Sequence, residues 1–214
     1  MWRLHFSLGK LLSSAVRVCP KEEGSLFFMS NKRLIVLLEC AIFAAIAMVL
    51  SFIPLDIGSS FSISLGMIPM YVIAIRRGFF AAGFSGLLWG LLHFLTGKAY
   101  ILMWSQALIE YILAFAFIAF SGIYSKKIRS YLLAKELNKA LVYAWIAMFI
   151  GGVARYFWHY LAGVLFWGAY AFSGWSAQLF SIVMNGISCL TTVMVCGLVI
   201  SVIMKVKPQL FLPK

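Results

Sequence analysis

The sequence predicts an all-α integral membrane protein of six transmembrane helices. Composition and long unbroken apolar runs carry the class, and the placement of basic residues carries the orientation. Of 214 residues, 64% are apolar and 11% are charged. A soluble domain is about half apolar and about a quarter charged. Water cannot cover so much apolar surface, so a bilayer is the solvent the chain is written for. The runs do not alternate as a barrel's strands would. A helix satisfies every backbone polar group within its own span, which suits them.

The elements follow in chain order. Residues 1–28 are mixed in character and interrupted by Pro20. They read as an amino-terminal extension or a mis-assigned start, with Met29 opening MSNKR just ahead of the first clean span. Arg3 and Lys10 precede apolar residues, as in a signal peptide, but no apolar stretch of sufficient length follows. The transmembrane domain is expected at 29–208, with 209–214 a short cytoplasmic tail. Hydropathy sets the spans at 34–53, 62–75, 78–96, 101–123, 140–166 and 176–204. The second is short and contains Pro69.

Net charge is +12. On a soluble domain that would suggest nucleic acid. Here the charges sit between spans, where they set topology and meet anionic lipid, and no nucleic-acid partner is expected. In a six-span model Lys32, Arg33, Arg76, Arg77, Lys126, Lys127, Arg129, Lys135, Lys139, Lys205, Lys207 and Lys214 share one side. Lys98 is alone on the other. Twelve basic residues against one put both ends of the core in the cytoplasm. The four cysteines lack metal-ligand spacing, and Cys40, Cys189 and Cys196 lie in apolar runs as small hydrophobes.

Beyond residue 28 there are four acids. Glu39 lies near the inner end of span one, able to snorkel or to pair with Lys32 or Arg33. Asp56 and Glu136 fall in loops. Glu110 lies about nine residues into span four, roughly 13 Å of helix rise from its outer end. A carboxylate at that depth marks a functional site by default. His159, Asn185 and Trp89 fall at a similar depth in their own spans, with Tyr100 and Trp167 just above at outer helix ends. Taken singly, each reads better as ordinary packing or an interfacial anchor than as a ligand contact. Taken together, an acid, an imidazole, an amide and several aromatics at one depth suggest a pocket. Aromatic faces attract an organic cation and stack on flat rings, while Glu110 accepts from an amine. The expected ligand is small, flat, aromatic and cationic, and enters from outside.

Catalytic signatures are missing from the sequence. It contains no HExxH, GxSxG or paired carboxylates, and no Walker A loop through which the chain could use ATP itself. Neither a cofactor nor a metal site is expected. In span one, Ala41 and Ala45 are four apart on one face, which lets another helix approach closely or simply packs within the bundle.

RYFWHYLAGVLFWGAYAFSGWS, with MNGI after it and QALIEYILAF before it, resembles the thiamine-specific S component of energy-coupling factor transporters. The resemblance covers roughly residues 29–208. It rests most on His159, Gly163, Trp167 and Gly168 and on the pair Glu110–Tyr111. It implies a six-helix protein of the bacterial plasma membrane that binds thiamine near its outer face and is not an enzyme by itself. It also implies partners: a transmembrane coupling subunit and two cytoplasmic ATPases, with the alanine face of the first helix, Ala41 and Ala45, as the docking surface. The implied binding residues are Glu110, Tyr111, His159, Trp167 and Asn185, with Trp89, Tyr100 and Gly163 beside them. Two departures stand out. Phe180 occupies a position where the family pattern has tyrosine, and residues 54–61 hold no tryptophan to serve in a lid. The alternatives are an S component for another cationic aromatic vitamin or precursor, and a structural membrane protein in which Glu110 only packs helices.

Overall fold

A computed structural model describes residues 22–57 and 61–213. The chain divides into two compact units, Met1–Leu37 and Leu38–Lys214. Residues 1–21, most of the expected extension, lie outside the described residues. Helix α1 spans Glu22–Leu50, so it begins twelve residues before the predicted start of span one. No proline after Pro20 bars that extension.

Within the second unit, α1 buries one face and exposes the other. Cys40, Ala44, Ala47 and Met48 are buried, while Leu38, Ile42, Ile46 and Val49 are exposed. This is the pattern of a helix whose outer solvent is hydrocarbon, where close approach between helices rather than burial of bulk drives packing. After α1 the chain forms a two-stranded antiparallel ribbon, β1 (Asp56–Ile57) with β2 (Phe61–Ser62), pairing Asp56 with Ser62 and Ile57 with Phe61. Sequence reading gave residue 62 to span two. The structure starts the helix later, at α2 (Met67–Arg77), because residues 61–62 spend their backbone groups on the ribbon. Pro69 sits in the first turn of α2, where a helix N–H has no intrahelical acceptor to lose.

Helix α2 has 11 residues, about 17 Å of rise, too short to cross a bilayer alone. It is buried from Met67 to Ile75 at every position but Ile68. Irregular backbone at membrane depth is tolerated when protein encloses it. Gly78, with φ +91°, reverses the chain into α3 (Phe79–Leu95).

The fourth apolar run is not one regular helix. It comprises α4 (Trp104–Ala107), a π-helical turn Leu108–Leu113, α5 (Ala114–Ala116) and a 3₁₀ segment Phe117–Gly122. Helix α6 (Ser125–Leu133) follows, where sequence reading expected only a charged loop. Its charges mask its periodicity, but Ile128 and Leu132, four apart, are buried on one face. The chain then enters α7 (Leu137–Phe166), a 3₁₀ turn Gly168–Tyr170, α8 (Ala177–Val206) and a last 3₁₀ turn Pro208–Phe211. Phe211 in that last turn is fully buried.

Each of the six apolar runs is therefore helical, and the chain is an all-α membrane protein. Among the described residues, Asn31–Leu50, Trp104–Leu133, Leu137–Phe166 and Ala177–Val206 are long and apolar enough to span a membrane.

Glu39 does not pair with Lys32 or Arg33. Its carboxylate takes two guanidinium forks, from Arg76 (2.9 and 3.1 Å) and from Arg77 (2.6 and 2.8 Å). Arg76 also donates to the carbonyls of Leu210 (3.0 Å) and Leu212, while Arg129 caps the Arg76 carbonyl. The Glu39 carboxylate thus ties α1 to the end of α2, and the Arg76 guanidinium ties α2 to the carboxy-terminal turn. Bidentate geometry makes this pair stronger than a surface bridge. Glu39→Ala should leave two half-enclosed cations unpaired. We expect a loss of about 2–3 kcal/mol, a fall of roughly 5–10 °C in melting temperature in detergent. Glu39→Asp should recover part of it.

Candidate functional site

At the end of the bundle that carries the ribbon, α3, α7, α8 and the π turn enclose a cavity of about 530 Å³. All eight predicted pocket residues line it.

Glu110 and Tyr111 lie in the π turn. A π turn opens the helix by one residue and commonly accompanies functional sites. Here it coincides with close packing against α3. A methyl added to Gly90 would land on the Tyr111 carbonyl, and one on Gly86 would land on the Phe115 carbonyl. Two glycines four apart let α3 lie directly on the widened turn and on α5 behind it.

The Glu110 carboxylate is fixed from two sides. Trp167 Nε1 donates to Oε1 at 2.7 Å, and Gln106 Nε2 donates to Oε2. Gln106 is fully buried and is itself held, accepting from the Leu102 amide and donating to the Tyr100 carbonyl, both at 3.1 Å. A buried amide with every group engaged is a rigid strut. Tyr111 Oη accepts from the Tyr100 amide at 2.9 Å, which pins the loop between α3 and α4 to the rim. The Tyr100 and Trp167 rings stand 5.5 Å apart.

Along α7 and its C-cap residue, Arg155, His159, Gly163 and Trp167 recur every four residues, so they form one stripe down the wall. His159 packs its ring on Tyr156 (5.6 Å) and on Phe115 (6.4 Å). Gly163 is the gap in the stripe, and a methyl there would strike Ser181 Oγ on α8. Asn185 Nδ2 donates to the Ser181 carbonyl at 3.0 Å, which leaves Oδ1 as the free end of the amide. Trp89 contributes its ring as wall. It is 1% exposed, and its Nε1 is spent on Ser51 Oγ at 3.0 Å.

Sequence reasoning missed several residues of the site. Gln106, which holds the Glu110 carboxylate from behind the lining, stands one helical turn before it. His93 stands one turn after Trp89, and its Nδ1 is 2.9 Å from the Trp89 carbonyl. Arg155 stands one turn before His159, a spacing that was readable in the sequence. Of the departures, Phe180 lines the cavity at 2% exposure, its ring against Phe172 at 5.2 Å. Phe61 lines it too, whereas residues 58–60 of the expected lid lie outside the described residues. Among the described residues, no three His, Cys, Asp or Glu side chains gather to hold a metal.

The arrangement suits a ligand with flat rings, an amine donor and a positive charge. Indole, phenol and imidazole faces surround one oriented carboxylate. Apolar walls strengthen every electrostatic contact made inside.

Comparison with known proteins agrees. A family model described as "Thiamine transporter protein" matches residues 37–212. "Thiamine transporter ThiT" of Lacticaseibacillus paracasei is 38% identical over 188 residues, 86% of this chain and 94% of that protein. Its namesake from Bacillus subtilis is 31% identical over 183 residues, 84% of this chain and 95% of that protein. A solved structure of ThiT from Listeria monocytogenes superposes with a TM-score of 0.85 at 80% identity, covering 86% of this chain and all of its own.

Proposed function

Since this chain belongs to the thiamine transporter family, we propose that it is the thiamine-binding subunit of an ATP-driven vitamin uptake system of the energy-coupling factor type. The observation that carries the reading is the single carboxylate of Glu110, held by Trp167 and Gln106 inside an aromatic cavity. Thiamine answers it group for group. Its aminopyrimidine offers an amine donor to Glu110. Its thiazolium offers a flat cation to the faces of Trp167 and His159. Asn185 Oδ1 supplies a further acceptor, and Tyr111 and Tyr100 hold the rim.

Orientation follows the positive-inside rule. The end bearing Arg76, Arg77 and Arg129 faces the cytoplasm, with both termini of the core, in a bacterial plasma membrane, and the cavity faces outward. Transport against a gradient needs an energy source, and this sequence has no phosphate-binding loop. The energy comes from two cytoplasmic ATPase subunits through a transmembrane coupling subunit. Ala41 and Ala45, exposed on α1 between large apolar residues, offer that subunit a close-approach face.

The test is a titration of the purified protein with thiamine, reading tryptophan fluorescence. A thiazolium stacked on Trp167 should give saturable quenching. No quenching, together with no heat by calorimetry, would sink the reading. In cells, Ala45→Leu should keep binding but lose uptake, because bulk on that face blocks docking alone.

A further inference from the structure

Helix α6 and the start of α7 meet at a corner lined by three phenols, none of which lines the cavity. It lies on the side of the bundle where Arg129 of α6 reaches the Arg76 carbonyl. Tyr131 and Tyr143 stack with ring centres 5.5 Å apart and planes 22° from parallel. Tyr124 stands 5.6 Å from Tyr143. Two ammonium groups close on this stack. Lys127 Nζ lies 4.0 Å from the centre of the Tyr143 ring and donates to Tyr143 Oη at 2.7 Å. Lys139 Nζ lies 5.7 Å from the centre of the Tyr131 ring.

The corner is short of anions. Residues 125–139 hold Lys126, Lys127, Arg129, Lys135 and Lys139 against Glu136 alone. Glu136 takes Lys139 at 2.8 Å, an exposed pair of a kind that contributes little. Among the described residues no carboxylate pairs with Lys127. Its partner is a neutral phenol, and a phenol that accepts from an ammonium keeps its own O–H to donate.

Charge alone suits any solvated face. What sets this corner apart is the apolar surface beside it. Val142 is 58% exposed and Ile146 is 42% exposed. They head a row continued by Phe149 and Val153 along the exposed face of α7, which meets hydrocarbon. Lys139 and Tyr143 lie about 60° and about 100° round the helix from Val142, so they flank the head of that row. A phospholipid has the same order of chemistry, with a phosphate above and apolar chains below. Phosphate oxygens accept charge-assisted hydrogen bonds, phenols favour the interface, and juxtamembrane lysines are drawn to anionic headgroups. We propose that this corner is a binding site for an anionic phospholipid. Lys127, Lys139 and the Tyr143 hydroxyl take the phosphate, and the acyl chains run along Val142 and Ile146. A zwitterionic headgroup brings a cation of its own to the two lysines and is disfavoured.

The test is native mass spectrometry of the full chain in detergent, with equal amounts of phosphatidylglycerol and phosphatidylcholine bearing the same chains. Wild type should retain phosphatidylglycerol in preference by about tenfold or more, since each juxtamembrane lysine is worth about fivefold. Lys127→Gln combined with Lys139→Gln should bring the preference to within about twofold. Lys205→Gln combined with Lys207→Gln removes the same charge elsewhere and should keep it. Excess inorganic phosphate should leave the lipid bound. An undiminished preference in the corner variant overturns the proposal. So does an equal loss in both double variants, which would mean diffuse surface charge, or displacement by phosphate, which would mean a site for the free anion. Should the corner variant fail to fold, Tyr143→Phe decides: it keeps both lysines and removes the hydroxyl, and an undiminished preference there overturns the inference. Every one of these outcomes leaves the thiamine reading untouched.

Discussion

Glu110→Gln should weaken thiamine binding by about 2–4 kcal/mol, roughly 30- to 1000-fold in Kd, with folding unchanged. Glutamine keeps the size and one carbonyl oxygen. It loses the negative charge, and it turns one acceptor into a donor facing Trp167 Nε1 or Gln106 Nε2, both of which are donors. One of those two contacts must break. The loss of attraction for the thiazolium acts on the bound state, while the broken contact acts with and without ligand. Calorimetric titration of wild type and variant measures the difference in affinity, and a cooperative melt without ligand establishes that the variant folds. Equal affinities would remove Glu110 from the binding site.

Gly90→Val should do the opposite, damaging the fold first and binding through it. The new side chain enters space held by the Tyr111 carbonyl, and a backbone atom cannot rotate away. Overpacking of this kind costs about 3 kcal/mol, or roughly 6–12 °C in melting temperature for a chain of this size. Tyr111 and Glu110 share that turn, so affinity should fall too. Gly186→Ala is the control. Nothing lies within 4 Å of the added methyl, and alanine favours a helix over glycine. It should melt at the wild-type temperature or slightly above. A Gly90→Val protein as stable as wild type would mean that α3 does not lie on the π turn.

Those two sites differ in how far the sequence discloses them. Glu110 was legible because charge in an apolar run has few innocent explanations. Gly90 was one of 17 glycines, and only the carbonyl it approaches sets it apart. The six apolar runs were readable for the same reason as Glu110, since lipid leaves backbone few options. The ribbon of Asp56–Ile57 and Phe61–Ser62 was not, because two-residue strands have no period to detect. Helix α6 was hidden by its own charges. Arg155 was legible only through its spacing, which repeats that of His159, Gly163 and Trp167. Trp89 shows the converse. Sequence gives its depth, but only the structure assigns its indole N–H to Ser51 rather than to a ligand. The partner of Glu39 was likewise decided by which helix end folds beside it.

The wide turn at Leu108–Leu113 holds one residue more than an ordinary helix would need over the same distance. Each residue in a helix advances the side-chain direction by about 100°. Deleting a single apolar residue there, Ile112 for instance, would let the coil close to regular pitch with little strain. It would also swing Glu110 and Tyr111 away from the positions they hold against Trp167 and Tyr100, or shift everything after them. Insertions and deletions in this one coil are therefore a route by which the same six-run architecture could exchange one cargo for another without altering a single lining residue.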